Sequence, residues 1–148
     1  MSSYRQILYH IVFRTKDSRS SLPQEHIREL FVYINGIIKA KHCVLHRING
    51  MEDHIHILSD LHPSIALADY VKDIKISTSV CLKHNEHFPL FDGWSEGYAA
   101  LTYSWNDKEK IVNYIKRQQE HHKRVSYTEE LRKELQEQGV KIDERYFP

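Results

Sequence analysis

The sequence has few cysteines, no long apolar run and no Gly-rich phosphate loop, and each absence excludes a class of protein. Two cysteines in 148 residues are too few for a disulfide scaffold and favour a reduced protein. No apolar segment approaches the ~18 residues that a membrane-spanning helix needs. The first residues also lack the basic-then-apolar pattern of a secretory signal. We therefore expect a cytoplasmic protein that does not use ATP.

An excess of charge of one sign is also absent. The formal net charge is +1, so any affinity for nucleic acid must come from a local arrangement of charges. A chain of 148 residues fits one domain with a core of its own. We predict a single domain over residues 1–148, in which about 106–148 form a C-terminal helical part. The eleven histidines are many for this length and direct attention to metal or phosphate chemistry.

Hydrophobic spacing predicts four strands and four helices. We predict strands at about residues 4–14, 43–48, 53–58 and 98–105. A capping box at Ser21–Gln24 predicts the start of the first helix, and Ser64 that of the second. Two further helices are predicted at about 108–124 and 128–138, the last being a charged, solvated packing helix. Asn49-Gly50 predicts the turn between the second and third strands.

This order of elements indicates a fold class. Strand, helix, strand, strand, helix, strand is the split β-α-β pattern of ferredoxin-like proteins. We therefore predict an α+β protein with a ferredoxin-like antiparallel sheet, two helices on one face and extra C-terminal helices. The second face of such a sheet is left for a ligand or another element.

The stretch Asp53-His54-Ile55-His56 carries the first chemical signal. Side chains on a strand alternate between faces, so His54 and His56 point the same way. Two adjacent imidazoles on a rigid strand make half of a metal site, and Asp53 can orient one of them. A pair of half-exposed strand histidines without a metal is the alternative.

Tyr114 and Gln118 carry the second signal. They are spaced i, i+4, which places them on one face of a helix. Alone, Tyr114 is typical of a core aromatic, but Gln118 and the histidines at 121 and 122 favour a polar site. A phenol with a pKa of ~10 is a weak nucleophile and needs a nearby cation or base. We predict that Gln118 adds an oxygen ligand to His54 and His56 and that the cation lies beside Tyr114.

These residues also resemble a known family. Asp53-His54-Ile55-His56 resembles the histidine–hydrophobic–histidine motif of HUH nucleases. The segments 94–101 and 114–118 resemble the single-tyrosine transposases of small bacterial insertion sequences, the IS200-like and REP-associated tyrosine transposases. The stretches 9–16 and 139–146 are similar as well, so the resemblance spans nearly the whole chain.

The resemblance implies an activity. It implies an RRM-like ferredoxin fold and a homodimer, in which the tyrosine helix of one subunit can complete its partner's site. His54, His56 and Gln118 would hold Mg²⁺ or Mn²⁺, and Tyr114 would be the nucleophile. The substrate would be single-stranded DNA with hairpins near the ends of a mobile element. Cleavage during DNA transposition would leave a 5′-phosphotyrosine and a free 3′-hydroxyl.

Contacts to single-stranded DNA require cations along the backbone and aromatic groups for stacking. The candidates are Lys72, Lys75, Arg117, Lys123 and Trp94. Each cation is otherwise a solvated charge on a helix face, and Trp94 is otherwise a buried aromatic.

Two other functions are compatible with parts of the pattern. A domesticated protein of the same fold would bind DNA or RNA hairpins without cutting them. A metal hydrolase or cupin-like enzyme would use His54, His56 and His62, but cupins need many more strands than this chain offers.

Overall fold

The computed structural model describes residues 4–121 and 126–144. The strands in this part are β1 Leu8–Arg14, β2 Leu45–Gly50, β3 His54–Ser59 and β4 Ala99–Tyr103. The helices are α1 Ile27–Ala40, α2 Leu67–Lys83, α3 Lys108–Lys116, α4 Gln118–His121 and α5 Tyr127–Glu137. None of these helices is both long and apolar enough to span a membrane.

The four strands form one antiparallel sheet in the order β2-β3-β1-β4. β1 and β3 lie in the centre, and their register places Val12 opposite His56 and Arg14 opposite His54. Together with α1 and α2 this is the βαββαβ arrangement. The predicted α+β, ferredoxin-like fold is confirmed, and an architecture with many more strands, as in a cupin, is wrong.

The main core lies between one face of the sheet and helices α1 and α2. Ile11 and Phe13 of β1 and Ile55 and Ile57 of β3 are fully buried against these helices. The helices contribute apolar residues at helical spacing. These residues are Ile27, Leu30, Ile34 and Ile38 of α1 and Tyr70, Val71, Ile74 and Leu82 of α2.

The other face of the sheet is covered by the C-terminal helices. Leu8 and Leu58 pack against Ile111 and Ile115 of α3. Val12, Ala99 and Leu101 pack in a second cluster, whose α5 members are Leu131 and Leu135. The charged last helix therefore buries an apolar stripe on the sheet, and residues on this face lie between the sheet and two helices.

Both predicted helix starts are wrong, because the segments that contain these serines make other contacts. α1 begins after His26. Ser21 is buried, and the next amide, of Leu22, donates to the carbonyl of Glu52 (3.0 Å), so this segment is bound to the β2–β3 turn. α2 begins after Ala66. The hydroxyl of Ser64 instead lies 2.6 Å from Nδ1 of His62.

The predicted turn at Asn49-Gly50 is also wrong. Both residues belong to β2 and pair with His56 and Ile55, and the chain reverses just after them. Gly50 packs so closely that a Cβ atom there would lie 2.9 Å from side-chain atoms of both Ile27 and Ile55. The glycine therefore permits close packing between sheet and helix rather than a turn.

The single helix predicted over 108–124 is interrupted. α3 ends at Lys116, and Arg117, with φ −92° and ψ 7°, leaves the helical conformation. Asn49 of β2 explains the break, because its Nδ2 donates to the carbonyls of Ile115 (2.9 Å) and Lys116 (3.3 Å). The last helix agrees with its prediction to within one residue and ends before Gly139, whose φ is +73°.

Candidate functional site

His54 and His56 point to the same face of β3, as their spacing predicts. Their ring centroids are 5.0 Å apart, and each side chain is buried. Ile55 and Ile57 point to the opposite face, into the α1–α2 core. The two histidines are not half-exposed, as the alternative had them, because these imidazoles lie in the polar centre of the layer beneath α3 and α5.

The hydrogen bonds of the two histidines engage the Nδ1 atom of each ring. Nδ1 of His54 lies 2.6 Å from Oδ1 of Asp53, the contact that the sequence predicted. Nδ1 of His56 lies 2.9 Å from Nε2 of His10. A neutral imidazole that donates through Nδ1 carries its lone pair on Nε2. This is the usual arrangement of metal-binding histidines, whose other nitrogen donates to a supporting group.

His10 is a site residue that the sequence analysis missed. It lies on β1 next to β3, is 1% exposed, and stacks on His56 with ring centroids 5.2 Å apart. Burial lowers the pKa of His10 to about 4, so its neutral ring can accept the hydrogen bond from His56. Alternation placed His10 on a face with Leu8 and Val12, but only the strand register shows that this face also carries His56.

Tyr114 of α3 lies directly beside this histidine cluster. Its ring centroid is 6.0 Å from that of His10 and 6.2 Å from that of His56, edge-on in both cases. Burial, together with the negative charges of Glu134 and Glu130, raises the pKa of the Tyr114 phenol. The phenolate therefore forms only if positive charge approaches or a base takes the proton.

Glu130 places a carboxyl group at this hydroxyl and was also missed. It lies on α5, is 5% exposed, and its Oε1 accepts a hydrogen bond from the hydroxyl of Tyr114. The same oxygen lies 3.9 Å from Nε2 of His56. No local pattern identifies Glu130 among the many charges of this helix, since its role depends on how α5 packs on the sheet.

Gln118 is the first residue of α4, which packs beside β2. Its side chain is fully buried, and Nε2 donates to the backbone carbonyl of Tyr114 (3.3 Å). Its Oε1 is buried and has no hydrogen-bond partner among the described residues. A buried amide oxygen without a partner is the kind of oxygen donor that a divalent cation accepts.

Three of the five predicted DNA contacts line one groove. Lys72, Lys75 and Trp94 line a groove of about 940 Å³ between α2 and the loop 92–98. Lys75 donates to the carbonyls of Ser95 (2.9 Å) and Gly97 (2.5 Å). Trp94 donates through Nε1 to Thr78 (2.9 Å) and packs edge-on against two phenylalanine rings. Both residues thus shape the loop, while Lys72 is exposed.

The other candidates lie elsewhere. Arg117 is exposed at the end of α3 and is not part of the groove. Lys123 and His122 lie outside the described residues, as does the side chain of His121. His62 lies after the far end of β3, and its ring contacts Ser64.

Comparison with known proteins connects this site to a family. The model of the family described as "Transposase IS200 like" matches residues 3–118, a span that includes His54, His56, Tyr114 and Gln118 but not α5. The transposases for insertion sequence element IS200 of Salmonella typhimurium and Salmonella typhi are similar. Each is 28% identical over 120 residues, which cover 78% of this chain and 78% of the relative.

Two solved structures share the fold. A protein of Deinococcus radiodurans R1 assigned as a transposase is 25% identical, with a TM-score of 0.58 over 80% of this chain and 95% of its own. A REP-associated tyrosine transposase bound to a REP hairpin has a TM-score of 0.61 over 84% of this chain and 76% of its own, at 18% identity. The match over most of the chain shows that the protein belongs to the IS200-like transposase family.

Proposed function

We propose that this transposase cleaves and rejoins single-stranded DNA through a covalent bond to Tyr114. The observation that carries the proposal is the position of the Tyr114 hydroxyl. It is hydrogen-bonded to the buried Glu130, beside two histidines whose Nδ1 atoms are held by other groups. A core tyrosine would not need a buried carboxylate and a histidine pair around it.

The chemistry follows from these positions. Oη of Tyr114 attacks the scissile phosphorus, and its proton passes to the carboxylate of Glu130. The bond from phosphorus to the 3′-oxygen of the DNA breaks, and this oxygen leaves as a 3′-hydroxyl after taking up a proton. The product is a 5′-phosphotyrosine, a diester similar in energy to the original linkage, so attack by another 3′-hydroxyl rejoins the DNA without ATP.

His54, His56 and Gln118 would hold the cation that this reaction needs. When bound, Mg²⁺ or Mn²⁺ would stabilise the negative charge that develops on the transferred phosphate. The three residues present two imidazoles and one amide oxygen, and none brings a negative charge of its own. The buried Gln118 Oε1, without a partner in the described part of the chain, supports its assignment as a ligand.

The groove beside α2 is our proposed binding site for a DNA hairpin. It is lined by Lys16, Lys72, Lys75 and Lys83 and also by three carboxylates, so the attraction for phosphates is local. One structural neighbour carries a REP hairpin, which supports this substrate class. Lys72→Ala should weaken binding of the hairpin, whereas Lys39→Ala, an exposed lysine on α1, should not. Equal affinities of the two variants in a fluorescence-anisotropy titration would contradict this placement.

We further propose that the protein acts as a homodimer in the cytoplasm, where its DNA substrate is found. Within one chain, Tyr114 already lies beside His56, so a single subunit can hold the site in cis. Exchange of the Tyr114 helix between subunits would place it in trans. Light scattering coupled to gel filtration tests the dimer, and a monomer that cleaves DNA at full rate would exclude it.

A nicking assay tests the proposed activity. The substrate is a labelled single-stranded oligonucleotide that spans a palindrome from DNA flanking the gene, and the control is the same composition without the palindrome. We expect cleavage with Mg²⁺ or Mn²⁺, none with EDTA, and recovery when metal is restored. Tight hairpin binding without cleavage under either metal would instead support a domesticated hairpin-binding protein.

A further inference from the structure

A second group of potential metal ligands lies on the opposite side of the molecule. His26, Glu29 and His87 have ligand atoms that all lie within 4.8 Å of one another, and no other such trio of His, Cys, Asp or Glu occurs among residues 4–121 and 126–144. His26 and Glu29 belong to the start of α1, and His87 follows α2. Both helices cover the sheet face that does not carry His56. This trio is therefore separate from the site around Tyr114.

The two imidazoles already converge on one carboxylate oxygen of Glu29. Oε2 of Glu29 lies 2.7 Å from Nδ1 of His87 and 3.3 Å from Nδ1 of His26. The two imidazoles stack in parallel, with centroids 4.0 Å apart and an angle of 9°. Both imidazole nitrogens therefore already face the carboxylate of Glu29.

The supporting contacts hold the trio in place. Asn85 donates through Nδ2 to Oε1 of Glu29 (3.2 Å) and accepts through Oδ1 from the amide of His87 (2.9 Å). Phe88, the next residue, is buried in the main core and anchors this loop. These contacts orient the Glu29 carboxylate towards both imidazoles.

We propose that His26, Glu29 and His87 bind one zinc ion and that this ion links the start of α1 to the loop after α2. Two imidazoles and one carboxylate are a common zinc donor set, with water as the fourth ligand. Ligands of one zinc ion lie about 4 Å apart or less, so these partly exposed side chains need only small rotations. Imidazole ligands favour Zn²⁺ over Mg²⁺, so zinc binding to the trio can be measured in an excess of Mg²⁺.

Calorimetric titration with ZnCl₂ in an excess of Mg²⁺ tests this site on the full-length protein. The variants His26→Ala, Glu29→Gln and His87→Ala each remove one ligand, and His84→Ala removes an exposed histidine of the same loop. We expect each ligand variant to bind zinc about tenfold more weakly or worse, and His84→Ala to bind it as the wild type does. Any zinc at the Tyr114 site is common to all variants and cancels in the comparison.

Thermal unfolding provides a second readout that does not depend on activity. Zinc should raise the Tm of the wild type and of His84→Ala, because ligand binding to the folded state stabilises it, and should raise that of His87→Ala by a smaller amount. Zinc affinity or a Tm shift that survives His87→Ala at the wild-type value would overturn the proposal and leave the trio as a hydrogen-bonded surface cluster.

Discussion

His10 contributes to the site through another residue. Its Nε2 lies 2.9 Å from Nδ1 of His56, and its neutral state, with a pKa lowered to about 4 by burial, lets it accept a hydrogen bond there. It thereby fixes which nitrogen of His56 faces Tyr114 and Glu130. Asp53 does the same for His54 from the preceding position in the chain.

We predict that His10→Leu lowers the affinity for the catalytic metal by about 10- to 100-fold, because His56 loses the group that orients it. Cleavage should fall at low Mn²⁺ and return towards the wild-type rate when Mn²⁺ is saturating. This recovery distinguishes a positioning role from loss of the fold. The exposed His42 provides the control variant His42→Ala, and identical metal dependence of the two variants would contradict the role of His10.

Glu130 is the residue for which a direct role in proton transfer is expected. Glu130→Gln keeps the size of the side chain but removes the base that accepts the Tyr114 hydrogen bond. We predict that DNA cleavage falls about 10²-fold while hairpin affinity stays the same. The neighbouring Glu129→Gln, at an exposed position, serves as the matched control. A Glu130→Gln enzyme that cleaves at the wild-type rate would show that the proton goes elsewhere.

The candidate site was predictable where its residues follow local rules. The alternation of a strand places His54 and His56 together, whereas Tyr114 and Gln118 lie on two helices, α3 and α4, that are separated at Arg117. His10 and Glu130 could not be found in this way, because each meets the site through tertiary contacts. The register of β1 against β3 brings His10 to His56, and the docking of α5 brings Glu130 to Tyr114.

At the scale of elements, the break between α3 and α4 determines how Tyr114 and Gln118 are presented. Spacing alone predicts one continuous helix, but Asn49 caps the carbonyls at the end of α3. The same residue was predicted to form a turn with Gly50. Local propensity gave the wrong prediction at both places for one reason. Asn49 hydrogen-bonds to α3, and Gly50 lets the sheet pack closely on α1, so both residues serve contacts between elements.

Asn49→Ala should therefore destabilise the link between the sheet and α3. The variant leaves the carbonyls of Ile115 and Lys116 without this donor, at a cost of about 1–3 kcal/mol in the free energy of unfolding. Urea unfolding measures the loss, and Asn113→Ala, at an exposed position of α3, is the control. Equal stability of Asn49→Ala and the wild type would mean that water replaces the lost donor at no cost.

At the scale of the whole molecule, the sheet separates two layers of different chemistry. The layer under α1 and α2 is apolar, whereas the layer under α3 and α5 contains two small apolar clusters with the histidines, Tyr114 and Glu130 between them. Hydrophobic patterning predicted the first layer well. Burial of ionisable groups in the second layer lowers the free energy of unfolding, and this loss should depend on pH.

Glu134 of α5 is expected to dominate that dependence. Burial, together with the negative charges of Glu130 and Glu137, raises its pKa from 4.5 to about 7. Between these two pKa values the folded state holds a proton that the unfolded state releases. The contribution of this group to the free energy of unfolding is therefore fully present below pH 4.5 and falls as the pH rises through about 7. We predict that Glu134→Gln is more stable than the wild type at pH 8 by about 2 kcal/mol, with little difference at pH 4.5.

Urea unfolding at the two pH values, with EDTA present, measures this change. Glu86→Gln, at an exposed position, should show no difference from the wild type at either pH. If Glu134→Gln has the same stability difference from the wild type at pH 4.5 and pH 8, the carboxyl does not titrate as the structure indicates.

The measurement that tests the central claim most directly is identification of the residue that becomes bonded to DNA. The protein is incubated with the hairpin oligonucleotide and Mn²⁺, digested with trypsin and nuclease, and analysed by mass spectrometry. We predict a nucleotide attached through a 5′-phosphate to the peptide that contains Tyr114, and no adduct with Tyr114→Phe or with EDTA. An adduct on another residue, or cleavage by Tyr114→Phe, would contradict the assignment of Tyr114 as the nucleophile.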